Sequence, residues 1–348
     1  MERKKVKIIG IVSLSAGTLG ESFVQHELKI GLSRLEKMGI RVKFLPHALS
    51  GRAYVEAHPA ERAQDLLDAF EDDEIDMILC AIGGEDTYRL LPYLFENDEL
   101  KKAVRRKIFL GFSDSTINHL MLHKVGLPTF YGQSFLSDVC DIGPDMMPYT
   151  KLYFDELVNT CRIKTVKPSP VWYDARTDFS EASVGTVPAS HRDSGFELLQ
   201  GASIFNGKIL GGCIDSIFDL FDNSRFPDTV TLCGKYHLFP SADEWRGKIL
   251  LLESSEELMP PEKYERALIH LKEAGVFEAV TGVLIGKPMN EVHFEEYKTI
   301  LQKVIANPDL PVVVNVNIGH ATPRCIIPFG VPATVDANRQ EISFHYGN

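Results

Sequence analysis

Three residues far apart in the chain have the types that acyl transfer needs: Ser113, Glu253 and His320. A serine hydroxyl is a weak nucleophile. It attacks a carbonyl only when a base takes its proton, a third group orients that base, and fixed N–H donors receive the charge forming on the carbonyl oxygen. Ser113 stands in "IFLGFSDSTINHL" (108–120), where a β-branched and aromatic stretch turns into a helical pattern. At such a corner a serine projects clear of the pleat with the next backbone N–H beside it, as in a nucleophile elbow. Gly111-Phe112-Ser113-Asp114-Ser115 lacks the second glycine of G-x-S-x-G. Taken alone, the segment reads more simply as Ser113 or Asp114 capping the helix that follows.

The other parts of such a site have candidates. Glu253 ends the apolar run 249–252, where a carboxylate can reach a cleft; an ordinary exposed strand-end glutamate fits equally well. His320 follows "VVVNVNIG", so Gly319 can turn the chain and present the imidazole beyond a buried strand, although a satisfied loop histidine is the commoner case. Gly83 and Gly84, directly after "ILCAI", leave backbone N–H groups open to an oxyanion, or form a plain tight turn. The order Ser, Glu, His is that of hydrolases built on an elbow.

The elements that must position these residues alternate over the first 130 or so positions. A strand over 6–12 leads to a helix with Val24, Leu28, Leu32 and Leu35 on one face. Strand "RVKFL" leads to a helix with Ala63, Leu66, Leu67 and Phe70, and "IDMILCAI" leads through a third helical stretch to "KIFLGF". Such alternation predicts a parallel sheet covered on both faces, with ligands at the carboxyl ends of its strands. The expected division is 1–165 for this domain, 166–200 for a linker and lid-like loop, and 201–348 for a second, β-rich domain. The loop is rich in Pro, Ser, Asp and Gly, and Trp172 and Tyr173 within it argue for a lid or ligand wall. The second domain carries "KILLLE", "GVLIG", "VVVNV" and "EISFHY" around a helix that starts at Pro261 and stops at Gly275.

Composition removes some functions. A net charge of −11 without a basic block argues against nucleic acid. No apolar run approaches the roughly 20 residues that cross a bilayer, and the apolar stretch near the start reads as a buried strand rather than a secretory signal. Six cysteines with no C-x-x-C pair fit reduced thiols and a cytoplasmic location, not a zinc site. A rival reading is a non-hydrolytic Rossmann protein binding a nucleotide after the first strand. "SLSAGTLG" supplies Gly17 and Gly20 but not the first glycine of G-x-G-x-x-G, and "RVKFLPHAL" lacks the acidic residue that would end the second strand.

Five motifs in order, "AIGGEDTYRLLPYL", "GFSDSTINHL", "GGCIDSIFDLF", "GKILLLESSEE" and "NIGHATPRCIIPFG", resemble the LD-carboxypeptidase family of serine peptidases, and within it the microcin C immunity branch. The resemblance covers essentially the whole chain. It implies Ser113 as nucleophile, His320 as general base and acid, Glu253 as the group orienting the imidazole, and the backbone N–H groups of Asp114 and Gly84 as the oxyanion hole; Gly83, in the same glycine pair, is a candidate for binding substrate. It also implies a Rossmann-like first domain similar to class I glutamine amidotransferases, a smaller β-rich second domain, an active site in the cleft between them, a homodimer, and no metal or cofactor. The substrate would be a small peptidyl or peptidyl-nucleotide molecule. The microcin branch cleaves peptidyl- or aminoacyl-adenylate analogues; its relatives release D-alanine from muropeptide tetrapeptides. The loop "VWYDARTDF" resembles the extended loop of the microcin branch, which makes Trp172 the candidate for stacking on adenine, with packing inside the loop as the alternative. The branch's later aromatic in that loop is Phe196 in this chain rather than Trp. Arg324, four residues beyond His320, is a candidate partner for a substrate carboxylate, although a salt-bridged surface arginine is the simpler reading.

Overall fold

The computed structural model describes residues 5–347. Contacts divide the chain into two compact units of equal length: Met1–Arg162 with Arg176–Val187, and Ile163–Ala175 with Pro188–Asn348. The second unit is therefore β-rich without being the smaller. The segment 166–200, expected as one linker and loop, is shared between both units.

Unit 1 is built on β1 (Ile8–Val12), β2 (Arg41–Phe44), β3 (Met77–Cys80), β4 (Ile108–Gly111) and β5 (Thr129–Tyr131), all parallel, in the order β2-β1-β3-β4-β5. Strands β1, β3 and β4 are buried along their whole length, which explains their unbroken apolar runs: both faces are covered. Strand β2 lies at the edge, and its Arg41 and Lys43 are exposed where pairing to another chain would otherwise begin. The helix Pro59–Glu71 buries Ala63, Leu66, Leu67 and Phe70 as the stripe predicts. Helix Gln25–Lys37 buries Glu27, Leu28, Gly31 and Leu35, while Leu32 is only half-buried. The third helical stretch is broken into the 3-10 turn Thr87–Leu90 and the short helices Leu91–Phe95 and Glu99–Ala103. The chain leaves β1 toward one edge and β3 toward the other, so the loops after these two strands diverge, and the crevice they open is the usual ligand position of such sheets.

Unit 2 contains β6 (Thr165–Val166), β7 (Val171–Tyr173), β8 (Ser190–Arg192), β9 (Glu197–Gln200), β10 (Ile204–Cys213), β11 (Lys248–Glu253), β12 (Gly282–Gly286), β13 (Val312–Val316), β14 (Ile327–Phe329), β15 (Pro332–Asp336) and β16 (Glu341–Phe344). Eight of them form a mixed sheet ordered β6-β16-β15-β10-β11-β12-β13-β9, in which β10 to β13 run parallel. The helix Pro261–Glu273 buries Tyr264, Ala267, Leu268 and Leu271, and Phe294–Ile305 buries Tyr297, Ile300, Leu301 and Val304 on the same spacing. Strands β7 and β8 pair as an antiparallel ribbon inside the segment expected to be irregular. The buried Asp193 just beyond β8 accepts hydrogen bonds from Asn315 Nδ2 (3.0 Å) and Asn317 Nδ2 (3.0 Å), which fastens this segment to the strand that leads to His320. Among the described residues no helix is long and apolar enough to cross a membrane.

Candidate active site

In unit 1 the chain turns sharply at the end of β4. Ser113 has φ +63°, left-handed backbone that a side-chain-bearing residue adopts at a cost on the order of 1–3 kcal/mol. Its N–H donates to the Tyr131 hydroxyl (3.2 Å), and its carbonyl accepts from Thr116 Oγ1 (2.7 Å). The Asp114 carboxylate accepts from Ser15 and Thr87 rather than from the helix Thr116–Lys124, whose N-cap position is Ser115, so Asp114 does not serve as its cap. Ser115, where G-x-S-x-G has its second glycine, is right-handed (φ −61°, ψ −8°), and glycine is not required there. Gly83 is required: a β-carbon on it would stand 2.6 Å from Ser113 Cβ and 2.7 Å from Ser113 Oγ. The Gly83–Gly84 turn thus lies directly against the serine. The carbonyl of Gly83 accepts from Ala16 N–H (3.1 Å), and in a trans peptide the Gly84 N–H points the opposite way.

The histidine nearest to Ser113 in sequence is not a base for it. His119 is buried, its Nε2 donates to the Gly111 carbonyl (3.1 Å), its Nδ1 lies 2.7 Å from Thr129 Oγ1, and burial pushes the ring down to about 4. It ties the end of β4 to β5.

In unit 2, Glu253 is the last residue of β11 and His320 lies beyond β13. His320 Nδ1 donates to Glu253 Oε2 at 2.7 Å, with Glu253 wholly buried and the imidazole 9% exposed. Gly319 turns at φ +92° and passes so close to Glu253 that a β-carbon there would overlap the carboxylate. A feature that sequence reasoning missed is Glu256, whose Oε2 lies 3.0 Å from His320 Nε2. Burial alone would lower the pKa of the ring. The charge and hydrogen bond of Glu253, joined by those of Glu256, outweigh it and push His320 up to about 10. Reciprocally, the hydrogen bond to His320 pulls Glu256 down to about 2, although the Glu256 side chain is 67% exposed and water screens part of that attraction. Both ring nitrogens face carboxylate oxygens, as in an imidazolium donating twice. The loop holding Glu256 is anchored on each side: Ser255 N–H donates to Asp215 Oδ2 (3.0 Å), and Glu257 pairs with Arg225 (2.9 Å).

Trp172, in β7, stacks on His191 of β8 with centroids 4.2 Å apart, and Lys287 Nζ lies 5.3 Å from its ring centroid. The ring therefore already has an aromatic and a cationic neighbour within its own unit. The ribbon also sits close to the histidine, since Tyr173 N–H donates to the Thr322 carbonyl (2.8 Å), two residues past His320. Phe196 is buried. Arg324 is not the surface residue of the simpler reading. It is buried and donates from Nη2 to the His320 carbonyl (3.2 Å), bracing the backbone that carries the imidazole.

Among the described residues, one group brings three ligand-type atoms together: Cys213, Glu253 and His320, within 4.8 Å of one another. His320 Nδ1 of this group is already committed to the Glu253 carboxylate, and burial first and the nearby Glu253 and Asp215 second hold the Cys213 thiol well above the usual thiol range. At the turn after β1, Gly17 and Gly20 pack against the backbone of Gly51 and Leu49, which explains them without a bound phosphate.

Of the expected residues, then, unit 1 brings together Ser113, Asp114, Gly83 and Gly84, and unit 2 brings together Glu253, His320 and Arg324, with Trp172 on an adjoining ribbon. Family models for the LD-carboxypeptidase N-terminal domain and C-terminal domain match residues 9–132 and 206–335. An MccF-like protein from Streptococcus pneumoniae, solved in complex with AMP, is 56% identical with a TM-score of 0.97, covering 99% of this chain and 100% of that one. The probable murein peptide carboxypeptidase of Bacillus subtilis is 27% identical, over 89% of this chain and 84% of the relative. The microcin C7 self-immunity protein MccF of Escherichia coli is 23% identical, over 90% and 86%. With both halves of the family signature matched, the chain belongs to the LD-carboxypeptidase family, peptidase S66, and is a carboxypeptidase of the serine type.

Proposed function

We propose that this carboxypeptidase hydrolyses the amide-type bond of an aminoacyl- or peptidyl-adenylate analogue through Ser113, His320 and Glu253. His320 Nε2 takes the proton of Ser113 Oγ as that oxygen bonds to the carbonyl carbon, and Glu253 holds Nδ1–H throughout. The oxyanion is received by the N–H groups of Gly84 and Asp114. When the bond breaks, the leaving nitrogen takes the proton from His320, and water then releases the acyl group from the serine by the same steps. An imidazolium cannot start this sequence. Substrate therefore has to displace Glu256 from Nε2, which frees that nitrogen to accept a proton and removes one of the two carboxylates that raise the ring's pKa.

The observation that carries the reading is the backbone of Ser113: left-handed, at the end of a buried strand, and pressed against a glycine turn that tolerates no side chain. For the substrate, support comes from the AMP held by the 56% identical relative and the aspartyl sulfamoyl adenosine held by MccF; Trp172 would stack on the base in place of, or beside, its present neighbour His191. A second reading, release of D-alanine from a muropeptide tetrapeptide, is favoured by the Bacillus subtilis relative. In either case the protein works as a cytoplasmic homodimer on a small molecule, and its six free cysteines stay reduced.

Replacing Ser113 by Ala is expected to abolish turnover of an aminoacyl-sulfamoyl adenosine while leaving its binding nearly intact, measured by product chromatography and calorimetry. Undiminished hydrolysis would end the assignment. Parallel incubation with a muropeptide tetrapeptide decides the substrate, and cleavage of the tetrapeptide alone would put the muropeptide reading first.

A further inference from the structure

We propose that the Asp114 side chain is a positioning residue, fastening the loops after β1 and β3 to the serine turn and so holding the oxyanion donors in place. The proposal rests on the functional reading above.

A single oxygen makes the junction. Asp114 Oδ2 accepts from Ser15 Oγ (2.6 Å) and from Thr87 N–H (2.9 Å). Ser15 lies just beyond β1, and Thr87 opens the turn three residues after Gly84. The buried carboxyl therefore joins three loops at the carboxyl edge of the sheet, those after β1, β3 and β4. Each is tied to the oxyanion hole. Asp114 carries one donor on its own backbone. Ala16, next to Ser15, fixes the Gly83–Gly84 peptide plane, and with it the direction of the second donor. Ser15 Oγ also occupies the space that a side chain on Gly84 would need.

An acidic residue in the first turn of a helix usually serves that helix. Here the carboxylate bonds across the sheet instead. The bonds from Ser15 and Thr87 both end on Oδ2, so what the junction requires is an acceptor oxygen; burial raises the carboxyl's pKa, with Ser15 and Thr87 pulling it back. A second brace runs alongside. Arg62 donates to Asp86 Oδ1 (2.6 Å) and Oδ2 (3.2 Å) and to the carbonyls of Leu14 (3.3 Å) and Ser15 (3.2 Å). If that brace sufficed, removing the Asp114 side chain would leave catalysis unchanged.

Oxyanion donors act on the transition state rather than on bound substrate, so their misplacement lowers kcat and spares KM. The experiment compares wild type, Asp114→Ala, Asp114→Asn and Ser15→Ala by steady-state kinetics on an aminoacyl-sulfamoyl adenosine, with fluorophosphonate labelling of Ser113 followed by mass spectrometry. Asp114→Ala is expected to lower kcat roughly tenfold to a hundredfold with KM within about twofold. Asp114→Asn, which keeps an acceptor oxygen, is expected to recover most of that loss, and Ser15→Ala to lower kcat several-fold. Should Asp114→Ala fail to fold, Ser15→Ala carries the test. Labelling of wild-type Ser113 with an undiminished kcat in Asp114→Ala and Ser15→Ala would overturn the clamp alone. An Asn variant as impaired as the Ala variant would overturn the acceptor role, and a wild-type enzyme unlabelled at Ser113 would overturn the functional reading with it.

Discussion

Unit 1 holds Ser113 with backbone geometry, whereas unit 2 holds His320 with charge. The serine owes its position to a left-handed turn, a glycine pressed against it and one hydroxyl on its N–H. The histidine owes its position to two carboxylates on opposite ring nitrogens and an arginine on its carbonyl. The two kinds of support differ in what they tolerate. A backbone arrangement has no titration and fails when volume is added. A charged one shifts continuously with pH and fails when one charge is left buried alone.

Charge removal at the buried carboxylate should show the larger effect. Glu253→Gln preserves size and removes the charge that stabilises the imidazolium; kcat is expected to fall by roughly a thousandfold or more, as for an orienting carboxylate in a triad. A loss under tenfold in a rate assay would show that His320 is oriented by other groups. Volume addition comes next. Gly83→Ala forces a methyl against Ser113, and a kcat loss of about a hundredfold with little change in melting temperature is expected. An active Gly83→Ala enzyme would mean that the turn is free to move.

Smaller effects sharpen the contrast. Trp172→Ala is expected to raise KM for an adenosine-bearing substrate by roughly 5- to 150-fold, the equivalent of losing one stacked base, and to leave a muropeptide substrate nearly unaffected. Equal losses on both would assign Trp172 to packing against His191. The smallest change is Glu256→Gln. His320 is raised from 6.5 to about 10, so stability from its charged form is complete below pH 6.5 and is lost as pH rises through about 10. Removing one carboxylate lowers that upper value, and the acid limb of kcat/KM should move to lower pH by up to about one unit, a modest shift because Glu256 is solvent-facing. A pH–rate profile with an unmoved limb would show that Glu256 has no hold on the base in solution.

The sequence makes the backbone-supported half easier to read than the charge-supported half. Ser113, Gly83 and Gly84 follow buried strands whose apolar runs are continuous, so the end of each run marks where a functional group can emerge. Glu253 and His320 are legible for the same reason. Glu256 is not: "ESSEE" reads as an exposed acidic tip, and only folding brings its fourth residue to a ring 64 positions away. The link between Ser15 and Asp114 spans 99 positions and follows no local pattern. Strands β7 and β8, three residues each, are too short for alternation to register, so the segment carrying Trp172 reads as loop although it is paired and anchored through Asp193.

The central claim is that Ser113 reacts with the help of His320, and fluorophosphonate labelling of wild type and His320→Ala, read by peptide mass spectrometry, tests it most directly. The expected result is one adduct, on Ser113, forming in the wild type and slowed at least a hundredfold in the variant. An adduct on any other residue, or labelling of Ser113 at the wild-type rate without His320, would contradict it.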